Sequence, residues 1–128
     1  MNVLTLSIKQ NYFNQIIEGS KKKEYREIRP NTAHRYITYW VGKKEYKKYT
    51  DVPQDEEPEA RPVKYDAIQF YTGQMSGKRP GALVEVKKAE IEIILDEDGK
   101  EIEYTYEGET YVMAQVVYSL GNVIERTN

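Results

Sequence analysis

The sequence predicts an α+β fold, mainly β: a small antiparallel β-barrel with two N-terminal helices. Three observations lead there. Residues 2–8 and much of the chain from residue 67 onward alternate apolar and polar side chains, the period of half-buried strands. Two short stretches near the start repeat instead at helical spacing. At 128 residues the chain suits one domain spanning 1–128 with a single core.

Taken in order, Leu4, Leu6 and Ile8 share one face of a first strand, with Thr5 and Ser7 on the other. Tyr12, Phe13, Ile16 and Ile17 then change the period, and Gly19 follows as a natural C-cap, so a helix is expected at about 10–18. Pro30 limits any helix over the charged stretch that follows. Read as a strand, that stretch puts Lys22, Glu24, Arg26 and Ile28 on one face and Lys21, Lys23, Tyr25, Glu27 and Arg29 on the other. Asn31 or Thr32 can cap a second helix, in which Ala33, Tyr36, Ile37 and Trp40 fall at i, i+3, i+4 and i+7 before Gly42 ends it. Trp40 is expected in the core, and His34 and Tyr39 off the stripe. Residues 50–62 hold three prolines and five acids and read as a flexible acidic loop.

The remainder reads as β. Residues 67–72 form a strand closed by Gly73, and residues 74–81 a loop. Residues 82–95 form a long strand whose pattern slips: Val84 and Val86 have one parity, Ala89, Ile91, Ile93 and Leu95 the other. A bulge at Lys87-Lys88 would turn both sets inward. Asp96-Glu97-Asp98-Gly99 is a hairpin turn. Strands follow at about 101–106, 110–118 and 122–126, with a tight turn at Gly121-Asn122.

Composition excludes several chemistries. No cysteine is present, so disulfides, thiolate metal sites and cysteine nucleophiles are out, and the single histidine, His34, leaves no multi-histidine metal site. No metal or cofactor is implied. No apolar run reaches the roughly 18–20 residues of a membrane-spanning helix, and the N-terminus lacks a signal-peptide pattern. The expectation is a cytoplasmic protein with no membrane partner. Charge is uneven: residues 21–48 carry ten Lys/Arg against three Asp/Glu, and residues 85–109 carry three against ten. A basic face suggests an anionic partner, nucleic acid being the commonest; mutual neutralisation between the segments is the plainer alternative. Twelve tyrosines against two phenylalanines supply rings that can stack on bases or line a half-buried sheet.

The chemistry concentrates in Gly19-Ser20-Lys21-Lys22-Lys23-Glu24-Tyr25-Arg26. Glu24 and Arg26 share a strand face, where each can orient the other, and Lys21 sits at the preceding turn. A converging Lys, Glu and Arg suit an anionic or amide-bearing ligand; a solvated charge run at a helix–strand junction fits the same pattern. The spacing Gly-x-Lys-x-x-Glu-x-Arg resembles the signature of the ASCH family, which has a PUA-like fold. Leu4-Thr5-Leu6-Ser7-Ile8-Lys9, Phe70-Tyr71-Thr72-Gly73 and Leu120-Gly121-Asn122-Val123-Ile124-Glu125 resemble that family's first strand, central strand and final hairpin.

The resemblance implies a PUA-like barrel with a cleft lined by Lys21, Glu24 and Arg26, and an RNA- or nucleotide-binding role. Gly19, Tyr25 and Tyr71 join the expected binding residues, and Tyr39 is a further stacking candidate. One branch of the family hydrolyses the amide of acetylcytidine nucleosides, with a threonine at the position of Glu24 beside the motif lysine. The alternative function is therefore a small amidohydrolase on an acylated nucleoside, with Lys21 and Glu24 catalytic. The carboxylate at position 24 departs from that branch: an acyl-enzyme there would be a mixed anhydride, whereas activation of water stays open.

Overall fold

A computed structural model describes residues 1–73 and 79–127. The fold is α+β and mostly strand, with two α-helices. By packing, the chain divides into two compact units. Unit 1 gathers Met1–Glu24, Lys64–Ala89 and Tyr118–Asn128; unit 2 gathers Tyr25–Val63 and Glu90–Val117.

In unit 1, β1 (Val3–Ser7) buries Leu4 and Leu6 and exposes the residues between them, as the alternation predicts. Helix α1 (Gln10–Glu18) buries Phe13 and Ile16. Gly19 ends it in the left-handed region at φ 85°, a conformation cheap only without a Cβ. The capping bonds run from Ser20 N–H and Lys21 N–H to the Gln15 carbonyl at 3.0 and 3.1 Å. The strand β2 (Lys23–Ile28) follows, with Glu24 and Ile28 buried and Lys23 and Tyr25 exposed.

The strand β6 (Ala67–Tyr71) lies parallel to β1, in a register pairing Leu6 with Phe70. The expectation of a purely antiparallel barrel is corrected here by the parallel pairing of β1 with β6. Two adjacent strands can be parallel only when a long crossover joins them, and residues 8–66 supply it. β7 (Gly81–Ile93) returns antiparallel to β6, with Val84 opposite Ile68. Leu6, Ile68, Phe70 and Val84 are all within 2% of full burial and form the unit's core.

β10 (Ala114–Thr127) runs unbroken through Gly121 and Asn122, where a turn was expected. Gly121 has an ordinary negative φ; its role is close approach. A Cβ there would collide with the Glu85 carboxylate, which accepts the Asn122 N–H at 3.3 Å. In sheet order the strands are β1, β6, β7, β10 and β2.

In unit 2, the second helix is one turn, α2 (Ala33–Tyr36), and the chain then extends as β3 (Ile37–Val41). The expected helix to Gly42 is corrected. Ile37-Thr38-Tyr39-Trp40-Val41 is β-branched and aromatic throughout, and pairing on both sides outweighs its helical spacing. Its partners are β4 (Lys44–Tyr46) and β5 (Glu59–Pro62), both antiparallel. The end of the Pro-rich stretch is therefore strand, and a short 3-10 turn at Tyr49–Asp51 precedes it.

Trp40 is half-buried rather than core: Arg61 lies 4.9 Å from its ring, and its indole N–H donates to Thr38 Oγ1 at 3.2 Å. β8 (Glu103–Tyr106) and β9 (Glu109–Val112) form a hairpin across Glu107-Gly108. Both turn residues have positive φ, 48° and 81°, as a two-residue hairpin of matching twist requires. The Asp96–Gly99 turn is as predicted: the Asp96 side chain accepts both Asp98 N–H and Lys100 N–H at 2.9 Å.

Among the residues expected to be buried, Leu4, Leu6, Val84 and Val117 are. Val86 and Ile91 are half-buried, and Ile93 is 47% exposed. β7 is continuous to Ile93, with Lys87 and Lys88 both exposed and Ala89 and Ile91 half-buried beyond them, the change of parity expected there. Of the expected 74–81 loop, residues 74–78 lie outside the described residues. None of the three sheets closes on itself among the described residues.

Two outcomes test this packing. Gly121→Ala must push aside the tip of the half-buried Glu85 side chain, so it should cost under about 1 kcal/mol, and Glu85→Ala in the same chain should remove that cost, read from urea midpoints as a double-mutant cycle. In unit 2, burial pushes the Tyr39 hydroxyl above its ordinary value of 10, with Tyr111 and Tyr49 adding. A raised tyrosine favours the neutral folded form, so its contribution is complete below the unfolded value of about 10 and is lost as pH rises through the folded one. Tyr39→Phe should lessen that alkaline loss, visible as urea midpoints that fall less steeply above about pH 10 than those of wild type.

Candidate functional site

The turn after α1 builds the site. Gly19 reverses the chain, and four residues later β2 begins, so Lys21 sits at the junction and Glu24 is buried just inside the strand. Glu24 is 5% exposed, the one charged residue buried to that degree among the described residues. A carboxylate so placed needs a cation and hydrogen bonds. Lys21 supplies the cation: its Nζ lies 3.3 Å from Glu24 Oε1 and donates to the Lys23 carbonyl at 2.6 Å. The same ammonium sits 5.5 Å from the centroid of the Tyr12 ring, on α1. Lys21 is thus a fixed charge, held by a carboxylate, a carbonyl and an aromatic face.

Beside it lies a concavity of about 140 Å³ lined by Ile16, Gly19, Lys21, Lys22, Lys87, Leu120, Gly121 and Asn122. Three lysines converge on it, with Lys22 and Lys87 exposed. Two glycines, Asn122 and the apolar Ile16 and Leu120 complete the lining. All eight residues belong to unit 1, which carries ten Lys/Arg against five Asp/Glu, a net charge of +5. Unit 2 carries nine against sixteen, a net charge of −7.

The structure brings together Gly19, Lys21 and Glu24 of the predicted site. Arg26 follows Glu24 by two residues on β2, half-buried, and Tyr25 is 48% exposed on the opposite face; both belong to unit 2 and fall outside the concavity's lining. Tyr71 ends β6 in a different arrangement of unit 1. Arg79 lies 5.3 Å over its ring, donates Nε–H to the Thr72 carbonyl at 3.1 Å, and donates through Nη2 to Ser7 Oγ at 3.0 Å. Tyr39 packs edge-on against Tyr49 at 5.5 Å in unit 2. His34 is exposed.

Sequence reading missed Tyr12, Lys87 and Asn122 as site residues. Tyr12 was absorbed in the apolar stripe of α1, Lys87 in the bulge, and Asn122 in the turn. The signal available for Lys87 was the second lysine pair, Lys87-Lys88, in a chain whose motif already opens on a lysine run.

Among the described residues no group of three or more His, Asp or Glu could hold a metal ion, and no helix is long and apolar enough to cross a membrane. No protein-family model, curated protein or solved structure matches this chain.

The Lys21–Glu24 pair sets a measurable stability. Lys21→Met keeps the apolar stem but removes the ammonium from a buried carboxylate, and should cost about 1–3 kcal/mol in urea unfolding. Lys22→Met, exposed and outside that pair, should stay within about 0.5 kcal/mol.

Proposed function

We propose that the protein is a small RNA- or nucleotide-binding module that takes a phosphate group in the three-lysine concavity of unit 1. The size and lining of that concavity carry the reading. At about 140 Å³ it falls below the roughly 300–1,000 Å³ of pockets that enclose a small molecule. It admits one anionic group and leaves the rest of a ligand along the surface. Lys21 offers a charge already fixed by Glu24, and the exposed Lys22 and Lys87 close on the anion from either side. The ASCH resemblance of Gly19-x-Lys21-x-x-Glu24-x-Arg26 supports the same ligand class, and it carries the finer reading of the fold as PUA-like.

The amidohydrolase alternative rests on the proximity of Lys21 and Glu24 at 3.3 Å. Against it, Glu24 is buried and ion-paired, an environment that suits orienting Lys21 rather than activating water, and the concavity is too small to enclose an acylated nucleoside.

Fluorescence anisotropy on single-stranded RNA decides between them. Each phosphate contact contributes a slope of about −0.7 in log affinity against log salt. Lys22→Ala and Lys87→Ala should each weaken binding and flatten that slope by about one such contact, with the fold unchanged. Salt-independent binding, or lysine variants that match wild type, would overturn the phosphate reading. Release of acetate from acetylcytidine by wild type, lost on the order of 10²–10⁴-fold in Glu24→Gln, would establish the hydrolase instead.

A further inference from the structure

We infer that Tyr12 is the nucleobase platform of the lysine concavity, so that the site reads a base as well as a phosphate. The inference rests on the phosphate reading above and adds a residue that neither the motif nor the resemblance supplies. Tyr12, Phe13 and Ile16 share the amphipathic stripe of α1, yet Phe13 and Ile16 are 3% and 5% exposed while Tyr12 is 43% exposed. Core packing therefore does not account for the Tyr12 ring. What holds it is Lys21, whose ammonium lies 5.5 Å from the ring centroid, the geometry of a cation–π contact.

The ring thus has one side against a fixed cation and a large open surface. Two lining residues of the concavity are its neighbours. Tyr12 is one helical turn from Ile16, a spacing of roughly 5–6 Å between Cβ atoms, and both Ile16 and Lys21 line the concavity. A phosphate seated against Lys21, Lys22 and Lys87 leaves the attached nucleoside outside the concavity, and the aromatic ring that flanks Lys21 is that of Tyr12. Stacking of this kind tolerates any base, because every base has a π-face. The ligand class is then a nucleoside phosphate or single-stranded RNA with one unpaired base beside a bound phosphate.

The test compares ligands that differ only in the base. Uridine monophosphate and ribose 5-phosphate are titrated by calorimetry at low salt into wild type, Tyr12→Phe, Tyr12→Leu and Tyr12→Ala. Wild type and Tyr12→Phe should bind the nucleotide about 10- to 100-fold more tightly than the sugar phosphate. Tyr12→Leu and Tyr12→Ala should lose that margin and keep the sugar phosphate's affinity; at 43% exposure neither change empties the core. Equal affinity of wild type for the two ligands, or a loss in Tyr12→Ala that falls alike on both, overturns the base platform and leaves the phosphate site standing. Absence of binding by either ligand overturns both.

Discussion

A carboxylate almost wholly removed from water has to be met by charge, and the local geometry of unit 1 follows from meeting it. Glu24 is buried at the second position of β2, between the exposed Lys23 and Tyr25. A cation stands three residues earlier, at Lys21, and the turn after α1 brings that side chain back to the strand. Gly19 makes the turn by adopting the left-handed conformation that caps α1 and redirects the chain within two residues. The ammonium so placed rests against the Tyr12 ring at the start of the same helix. Helix cap, ion pair, aromatic contact and strand entry are one construction. Its by-product is a lysine whose position is settled before any ligand arrives.

The charge of the chain is partitioned in space differently from along the sequence. The basic run at 21–48 divides at Glu24: Lys21, Lys22 and Lys23 belong to the net positive unit, and Arg26 through Lys48 to the net negative one. In unit 2 the cations are engaged locally. Arg29 pairs with Glu27 and lies 4.2 Å over the Tyr104 ring. Arg61 pairs with Glu59 at 3.0 Å and covers Trp40, and Arg61 holds Glu59 below the ordinary carboxylate range. Lys44 sits 5.2 Å over Tyr46. Many of the tyrosines and arginines that a linear reading assigns to a nucleic-acid face are thus spent on one another. The electrostatic attraction for an anion concentrates in unit 1.

What the sequence made legible was local. The alternation of β1, the period and cap of α1, and the Asp96–Gly99 turn each depend on residues within a few positions of one another. Lys21 and Glu24 were legible for the same reason. Ile37 to Trp40 went astray because two periods fit the same residues, and strands formed by residues 44–46 and 59–62 decided between them. Gly121 illustrates the harder limit. Nothing near it distinguishes a turn glycine from one that gives way to a side chain, and the side chain concerned is Glu85, thirty-six residues earlier in sequence. Lys87 enters the site through that same approach of β7 to β10. Tyr12 enters through the folded-back Lys21.

The division of labour among the lysines has an energetic consequence. A lysine that must be ordered on binding loses rotamer entropy of up to about 2 kcal/mol, which offsets much of what one screened phosphate contact contributes. For Lys21 that ordering is part of folding, because Glu24, the Lys23 carbonyl and Tyr12 already fix its ammonium. For Lys22 and Lys87, both exposed, it falls at binding. In the proposed phosphate site, one fixed and two adaptable cations would orient the anion without demanding a single ligand shape. Phosphate contacts of this kind position a chain and carry no sequence information. Selectivity has to come from groups at the rim, and in unit 1 those beside the lysines are the Tyr12 ring and the Asn122 amide.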